Sequence, residues 1–360
     1  MITLVERRTE PLDVLVIGAG QAGLALGREL QRRGVGFGLV DAGTRIGDVW
    51  RSRWDSLRLF TAAEYDGLPD LPFPATAGTH PGKDAVAAYL ELYAETFGLP
   101  VALGTRVTRL APADRGFVAE TGDGAIAARR VVVATGAFGA PHVPGWAPEL
   151  APEVVQLHST GYRRPADLPD GPVLVVGAGN SGVQIAEELA GSGRPVTLAV
   201  GTRPRAVPQR LLGRDLFWWL TRSGLMRVTA DSRPGRRLRD RELVIGTSWP
   251  ALRARGIELR PRAVSASGTT VGFADGGSLD AAGVVWATGF RPDWRWLDVP
   301  DAVADGRVRH TRGVSPVPGL YFLGLPWQHT RGSALLGFVA EDAAHLAGLL
   351  GAGTREPVAG

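Results

Sequence analysis

The sequence contains no cysteine among its 360 residues. This absence excludes a scaffold held together by disulfides, a zinc or iron–sulfur site with cysteine ligands, and a redox mechanism that uses a protein thiol. The sequence also lacks an H-E-x-x-H motif, a paired-carboxylate motif and the spacing of a Ser-His-Asp triad. Neither a metal site nor a hydrolytic site is therefore predicted.

Long apolar segments are absent as well. No run of about 18 consecutive apolar residues occurs, so no transmembrane helix is predicted. Residues 1–14 contain no apolar core of the kind that a secretion signal needs. We therefore expect a cytoplasmic protein without a membrane partner.

Lysine is nearly absent, because 40 residues are Lys or Arg and Lys83 is the only lysine. The formal net charge is +4. The densest basic segment is Arg233–Arg241, which is either a solvated surface loop or a site for an anionic ligand. Nucleic-acid recognition needs a broader basic face with interleaved aromatic residues, so no nucleic-acid partner is expected.

Two similar segments recur along the chain. Leu12–Gly23 and Pro172–Gly182 each run from an apolar strand pattern into G-x-G-x-x-G and then into a helical pattern. Each is followed much later by an Ala-Thr-Gly turn, at 134–136 and at 287–289. Because both pairs of motifs keep a similar spacing, the sequence predicts two similar dinucleotide-binding units.

The glycines of these motifs have separate physical roles. The first permits a tight turn, the second lets the backbone approach a pyrophosphate, and the third lets helix and strand pack closely. The helix N-terminus then offers free N–H groups and a partial positive charge to the phosphates. The predicted phosphate-binding residues are Gly18, Gly20 and Gly23 in the first unit and Gly177, Gly179, Ser181 and Gly182 in the second.

The residues after the second strand of each unit distinguish the two cofactors. In the first unit, segment 35–40 leads into Asp41, whose carboxylate can accept hydrogen bonds from ribose hydroxyls and would repel a 2′-phosphate. In the second unit, Arg203 follows segment 195–200 and can hold a 2′-phosphate, with Arg205 as a substitute. An ordinary exposed arginine is the alternative for Arg203. We predict FAD in the first unit and NADPH in the second.

The length favours two domains, since a single core stops growing at roughly 250–300 residues. Proline-rich segments 140–152 and 291–300 are typical of crossings between domains. We predict an α/β fold with two Rossmann-like dinucleotide-binding domains, the NADPH domain being inserted into the FAD domain. The predicted FAD domain covers residues 1–141 and 288–360, and the NADPH domain covers residues 142–287.

Local patterns predict two further elements. Apolar residues spaced by three and four positions predict a helix over Lys83–Phe97, which Gly98 and Pro100 end. Asp275, Gly276 and Gly277 predict the turn of a hairpin.

The order of these motifs resembles the flavin-containing monooxygenase family, especially its shorter bacterial and plant-type members. The similarity extends from about Leu12 to Leu350. Besides the glycine motifs it includes segments 45–51, 54–59, 71–74, 287–292, 319–324 and 332–337. The resemblance implies a closing helix over Phe338–Ala347 and further cofactor contacts by Trp50, Arg51, Val107, Gly136, Gly324 and Leu336.

The resemblance also implies a histidine near the second unit. The family pattern F-x-G-x-x-x-H-x-x-x-aromatic is partly kept, because His158 and Tyr162 are present while Pro152 and Val154 replace the Phe and the Gly. His158 is therefore either a proton-transfer residue or a structural residue that positions the linker.

Two other catalytic candidates come from the same resemblance. Several relatives place an Asn after the G-x-W-R segment, but Leu59–Ala62 contains none, and Thr61 is expected to supply a hydroxyl there. Gln328 precedes the final flavin-contacting segment and is expected to face either the substrate or the surface.

The resemblance implies an FAD- and NADPH-dependent monooxygenase. NADPH reduces the flavin, reduced flavin and dioxygen give a C4a-hydroperoxyflavin, and one oxygen atom passes to a small molecule. The expected reactions are oxygenation of an amine or hydroxylamine, oxidation of a sulfide, and oxidative decarboxylation of a 2-oxo acid. The alternatives are an NADPH-dependent reductase that never inserts oxygen and a nucleotide-sensing protein without turnover. A flavin disulfide reductase needs cysteines that this chain lacks.

Overall fold

A computed structural model describes residues 10–136, 138–239 and 243–352. Its helices are α1 (Gln21–Arg32), α2 (Asp48–Arg51), α3 (Lys83–Thr96), α4 (Asn180–Gly191), α5 (Leu216–Arg222), α6 (Arg233–Arg239), α7 (Trp249–Ala254) and α8 (Ala340–Ala352). Short 3-10 turns cover Ala63–Tyr65, Ala147–Glu149, Pro165–Asp167, Leu225–Arg227 and Arg331–Ala334.

The strands of the first part of the chain are β1 (Leu12–Ile17), β2 (Phe37–Val40), β3 (Val101–Ala102), β4 (Val107–Ala113), β5 (Gly116–Thr121), β6 (Gly124–Val133), β7 (Ala140–Pro141), β8 (Val155–His158), β9 (Val173–Val176) and β10 (Val196–Val200). Those of the second part are β11 (Arg205–Val207), β12 (Arg210–Leu211), β13 (Arg214–Asp215), β14 (Leu243–Ile245), β15 (Glu258–Pro261), β16 (Ala263–Ser267), β17 (Thr270–Phe273), β18 (Ser278–Asp280), β19 (Gly283–Trp286), β20 (Phe290–Arg291), β21 (Val303–Ala304), β22 (Arg307–Val308) and β23 (Leu320–Phe322).

The first sheet has the order β3-β2-β1-β6-β5-β4, with β23 beside β6. Strand β1 is parallel to β2 and to the end of β6, which is also parallel to β23. Strands β4, β5 and the start of β6 form an antiparallel meander. The chain therefore leaves this sheet after β6 and returns to it with β23.

The second sheet consists of five parallel strands in the order β15-β10-β9-β19-β8. Its central part β10-β9-β19 repeats the arrangement β2-β1-β6 of the first sheet. Both sheets thus place a glycine motif after the middle strand and an Ala-Thr-Gly turn after its neighbour. This arrangement confirms the predicted α/β fold with two Rossmann-like units, the second inserted into the first.

Helices α1, α3 and α8 cover one face of the first sheet. Leu24 and Leu26 of α1, Leu90 of α3 and Leu346 of α8 are fully buried in one apolar cluster. Helix α3 agrees with the predicted helix, and α8 lies where the resemblance implied the closing helix. Strands β17 and β18 form the hairpin that was predicted around Gly276.

The crossings between the two units run side by side. Strands β7 and β20 pair antiparallel, with Phe290 opposite Pro141. The basic segment forms the exposed helix α6 as far as Arg239, while Arg241 lies outside the described residues. Within the described ranges, none of the helices has the length and apolar character needed to traverse a bilayer.

Candidate functional site

The first glycine turn joins β1 to α1 and is closed by backbone contacts. Gly18 has a φ of +107°, and a Cβ atom placed on it would lie 2.5 Å from the carbonyl oxygen of Ala134. A Cβ on Gly23 would lie 1.9 Å from the carbonyl oxygen of Gly18. Only glycine fits at either position, because any Cβ would collide with the main chain.

The second glycine turn repeats this geometry between β9 and α4. A Cβ on Gly177 would lie 2.3 Å from the carbonyl oxygen of Ala287, and a Cβ on Gly182 would lie 1.9 Å from that of Gly177. The two Ala-Thr-Gly turns are therefore the backbone surfaces against which the two glycine turns pack. This contact explains why the two motifs recur as pairs in the sequence.

The middle glycines face open space and fit a bound dinucleotide. A Cβ placed on Gly20 or on Gly179 would meet no protein atom within 4 Å. Each of these glycines precedes a helix whose N-terminus has no side-chain cap. Free N–H groups beside an open glycine cradle suit a pyrophosphate, and Ser181 lies in the first turn of α4.

Asp41 closes the side of the first turn. Its two carboxylate oxygens accept hydrogen bonds from the backbone N–H groups of Ala19 and Gly43, each at 2.7 Å. The side chain is thereby held across the mouth of the glycine turn. Its remaining lone pairs are of the type that ribose hydroxyl groups can use.

The end of β10 carries arginines and no acid. Arg203 is exposed, and its guanidinium lies 5.2 Å from the ring centre of Trp249. The Nε atom of Arg262 lies 3.4 Å from the position of a Cβ on Gly201. Neither arginine forms an ion pair with a described residue.

Arg262 could not be predicted from the sequence, because its proximity to Gly201 depends on the pairing of β10 with β15, where Val200 lies opposite Pro261.

Helix α2 carries Trp50 and Arg51 next to α3. Trp50 is half-buried between the apolar clusters of the two units. The guanidinium of Arg51 donates to Glu91 of α3 at 2.8 Å, and Arg45 also donates to Glu91. The hydrogen bond from Arg45 lowers the pKa of Glu91. Arg51 therefore fixes α2 against α3 and presents Trp50 to the junction.

Thr61 is buried and donates a 2.5 Å hydrogen bond from its hydroxyl to Oδ1 of Asp66. The other oxygen, Oδ2, is buried and has no partner among the described residues. Burial raises the pKa of Asp66 to about 7, although the hydrogen bond from Thr61 opposes this rise. Asp66 is not recognisable from the sequence, because the Tyr-Asp-Gly-Leu-Pro segment has the composition of an ordinary turn.

The Thr61–Asp66 pair lies beside the last segment attributed to flavin contact. A Cβ on Gly337 would lie 2.2 Å from the carbonyl oxygen of Tyr65 and 2.8 Å from that of Gly67. Leu336 is buried in the cluster that also contains α1, and a Cβ on Gly324 would lie 2.8 Å from that of Ala22. This segment is therefore brought to the first glycine turn.

Gly136 and Val107 lie at two edges of the first unit. Gly136 follows β6 with a φ of +76°, and Val107 pairs with Thr121 at the start of β4.

Gln328 is buried rather than exposed. Its Oε1 accepts a hydrogen bond from the N–H group of Leu325, and its amide lies against Gly313.

His158 lies at the end of β8, next to the crossing between the units. Its Nε2 lies 3.1 Å from the carbonyl oxygen of Gly289, and its ring packs edge-on against Phe290. The N–H group of Thr160 points to Nδ1, so Nε2 carries the proton and donates to Gly289. Burial lowers the pKa of His158, which keeps the ring neutral.

An aromatic cluster fills the junction between the two units. Phe217 of α5 is fully buried and stacks on Phe60 at 5.9 Å between ring centres. Phe338 stacks on Tyr65 at 6.2 Å and lies 6.1 Å from Phe217. The cluster joins the inserted unit to the Thr61–Asp66 segment.

Comparison with known proteins agrees with this architecture. The family model described as pyridine nucleotide-disulphide oxidoreductase matches residues 15–211. A Geobacillus kaustophilus protein named uncharacterized oxidoreductase CzcO-like is 44% identical over 338 residues, which cover 93% of this chain and 97% of the relative. A rice protein named indole-3-pyruvate monooxygenase YUCCA8 is 26% identical over 382 residues, covering 94% of this chain and 87% of that relative.

A solved structure of a flavin-containing monooxygenase has a similar fold. The flavin-containing monooxygenase from Stenotrophomonas maltophilia superposes with a TM-score of 0.79 and 30% sequence identity, covering 96% of this chain and 100% of that one. The chain therefore belongs to the pyridine nucleotide-disulphide oxidoreductase family, and within it to the flavin monooxygenases, which are oxidoreductases that use FAD and NADPH.

Proposed function

We propose that this enzyme uses NADPH to transfer one oxygen atom from dioxygen to a small molecule. NADPH, a proton, dioxygen and the substrate would give NADP⁺, water and the oxygenated product, and a 2-oxo acid would also release carbon dioxide. The observation that carries this proposal is the pair of glycine turns with similar geometry, of which the first is followed by a strand that ends at an acid and the second by a strand that ends at arginines.

Each nucleotide would be held by residues of this chain. Gly18, Gly20, Gly23 and Asp41 would hold the FAD, with Trp50, Arg51, Val107, Gly136, Gly324 and Leu336 around it. Gly177, Gly179, Ser181 and Gly182 would hold the NADPH pyrophosphate, and Arg203 with Arg262 would hold its 2′-phosphate. Bound FAD would supply the oxygen chemistry, and the protein would orient the reactants and exclude water.

Three residues would support the reaction in different ways. Thr61 would fix the carboxyl of Asp66 in a buried position beside the final flavin segment. Neutral His158 would hold the crossing between the units through Gly289 and act as a positioning residue. Gln328 would support the turns that lead into the final segment.

The proposed substrates are an amine or hydroxylamine, a sulfide, or a 2-oxo acid that is oxidatively decarboxylated. Similarity to the rice indole-3-pyruvate monooxygenase supports the last class. The proposed location is the cytoplasm, with a small molecule and dioxygen as partners. The proposed residue ranges of the units remain 1–141 with 288–360 for FAD and 142–287 for NADPH.

Isotope labelling tests this function. The FAD-loaded enzyme is supplied with NADPH and ¹⁸O₂ and with a panel of these substrates, while NADPH consumption and hydrogen peroxide release are followed. A true substrate should gain one ¹⁸O atom and lower the peroxide released per NADPH. NADPH-dependent reduction of an acceptor without ¹⁸O in any product would instead establish the alternative, a reductase that does not insert oxygen.

A further inference from the structure

The inserted unit carries a surface segment with exposed leucines and half-buried tryptophans. It is formed by residues 210–227, here called the 210–227 surface. The hairpin of β12 and β13 has its tip at Leu212, which is 83% exposed, and α5 follows directly. Leu211 is 48% exposed and Leu225 is 45% exposed. Exposed apolar groups gathered on one continuous segment indicate an interaction surface.

Local contacts hold this apolar tip in place. The indole N–H of Trp219 donates to the carbonyl oxygen of Leu211 at 2.9 Å, and Arg210 donates to that of Gly213 at 3.0 Å. Leu212 has a φ of +49°, which is unusual for a leucine and unfavourable. The chain therefore keeps a strained backbone conformation at the residue that it exposes most.

The same surface is basic. Arg210, Arg214, Arg222 and Arg227 are exposed, and none of them forms an ion pair with a residue in the described part of the chain. The acid in this segment, Asp215, is turned toward the protein, where it accepts hydrogen bonds from the Phe217 N–H group and the Gln209 amide. The outward charge of the 210–227 surface is therefore positive.

We propose that the 210–227 surface docks on an anionic lipid bilayer. An exposed apolar hairpin tip suits a fluid partner that can close around it, and half-buried tryptophan beside exposed leucine is compatible with a membrane interface. The arginines would contact lipid phosphates, each strengthening binding about fivefold. The expectation of no membrane partner rested on the absence of a spanning helix, which peripheral docking does not need.

A hydrogen bond connects the 210–227 surface to the segment of the proposed active site. Gln209, at the base of the hairpin, donates to the carbonyl oxygen of Phe60 at 2.9 Å. Phe60 and Phe217 belong to the aromatic cluster at the junction between the units. The docking surface is thus attached to the Thr61–Asp66 segment, although the docking itself does not depend on the reaction.

Vesicle sedimentation tests this proposal with the FAD-loaded protein. We expect sedimentation with mixed phosphatidylcholine–phosphatidylglycerol vesicles, little with phosphatidylcholine alone, and release at high salt. The double variant L211S/L212S should bind at least about tenfold more weakly, since two apolar side chains leave the interface. The double variant R210Q/R214Q should lose about 25-fold. Val264→Ser, which alters a 45% exposed valine on β16, is the matched control and should bind as the wild type does.

Two outcomes would overturn the proposal. One is the absence of binding to anionic vesicles, or binding that L211S/L212S leaves unchanged. The other is a dimer in solution that L211S/L212S dissociates, without vesicle binding by the wild type, since the surface would then join two copies of the chain. The flavin content of each variant checks that it is folded, and the outcome is independent of whether oxygen transfer is found.

Discussion

The guanidinium of Arg262 lies over Gly201, with its Nε atom 3.4 Å from where a Cβ of Gly201 would stand. This contact brings a second arginine to the end of β10, which Arg203 follows along the chain. Charge-assisted hydrogen bonds from these two side chains are the proposed contacts to the 2′-phosphate. The proximity of Arg262 to Gly201 depends on β10 and β15, which are distant in the sequence but adjacent in the sheet.

Replacing Arg262 should therefore reduce the preference for NADPH over NADH. Loss of a hydrogen bond to a charged group costs about 1.5–3 kcal/mol, so Arg262→Gln should lower the ratio of the two kcat/KM values roughly 10- to 100-fold. Calorimetry with 2′,5′-ADP should show a matching loss of affinity. Arg260→Gln is the control, because Arg260 is already paired with Glu258 at 2.8 Å. An unchanged coenzyme ratio in Arg262→Gln would contradict the assignment.

The open glycines allow each nucleotide site to be blocked separately. A methyl group at Gly20 or Gly179 meets no protein atom, so both variants should fold. Gly20→Ala should weaken FAD binding, and Gly179→Ala should weaken NADP⁺ binding while leaving FAD bound, each by roughly 5- to 100-fold through steric overlap with the pyrophosphate. Flavin absorbance and NADP⁺ titration measure the two effects. If either variant weakened both nucleotides equally, the assignment of one nucleotide to each turn would be wrong.

Asp66 should give the unfolding free energy a negative dependence on pH. Because its pKa is raised to about 7 in the folded protein, the folded state binds more protons than the unfolded state between about pH 4 and pH 7. The contribution of Asp66 to stability is therefore present at low pH and is lost as the pH rises through this range, by an amount on the order of 4 kcal/mol.

Denaturation in urea at several pH values measures this effect. The side chain of Asp66→Asn cannot ionise, so this variant does not lose stability as the pH rises. The unfolding free energy of the variant minus that of the wild type should therefore be larger at pH 8 than at pH 5. Thr61→Val keeps the Asp66 carboxyl but removes the hydrogen bond that lowers its pKa. The decrease in unfolding free energy should therefore continue to higher pH in this variant. Parallel curves for the wild type and Asp66→Asn would show that Asp66 does not titrate in this range.

His158 is predicted to act through the crossing between the units. Burial lowers the pKa of His158, so its contribution to stability is present above the ordinary value near 6.5 and is lost as the pH falls below it. His158→Ala should lose about 1 kcal/mol of stability, because the Gly289 carbonyl loses its side-chain donor and keeps the N–H group of His142. His158→Gln should restore part of this loss. A pH profile of kcat that keeps its shape in His158→Gln supports positioning, whereas loss of one limb would indicate proton transfer.

Much of the two units could be predicted from the sequence because their determinants are local. Gly18 and Gly177 stand between an apolar strand and a helical pattern, and the following acid or arginine comes shortly after the second strand of its unit. The short strands β11 to β14 were not predicted, since two or three residues carry no usable periodicity. Arg262 and Asp66 were missed for a related reason, because sheet pairing and burial bring them to their sites.

Simultaneous binding of FAD and NADP⁺ is the decisive test of the assignment of one nucleotide to each glycine turn. The purified chain is reconstituted with FAD, freed of excess flavin and titrated with NADP⁺, while the flavin spectrum and the bound amounts of both nucleotides are recorded. We expect a yellow protein with one FAD that then binds one NADP⁺ without releasing flavin. A colourless protein that cannot be reconstituted, or displacement of FAD by NADP⁺, would contradict it.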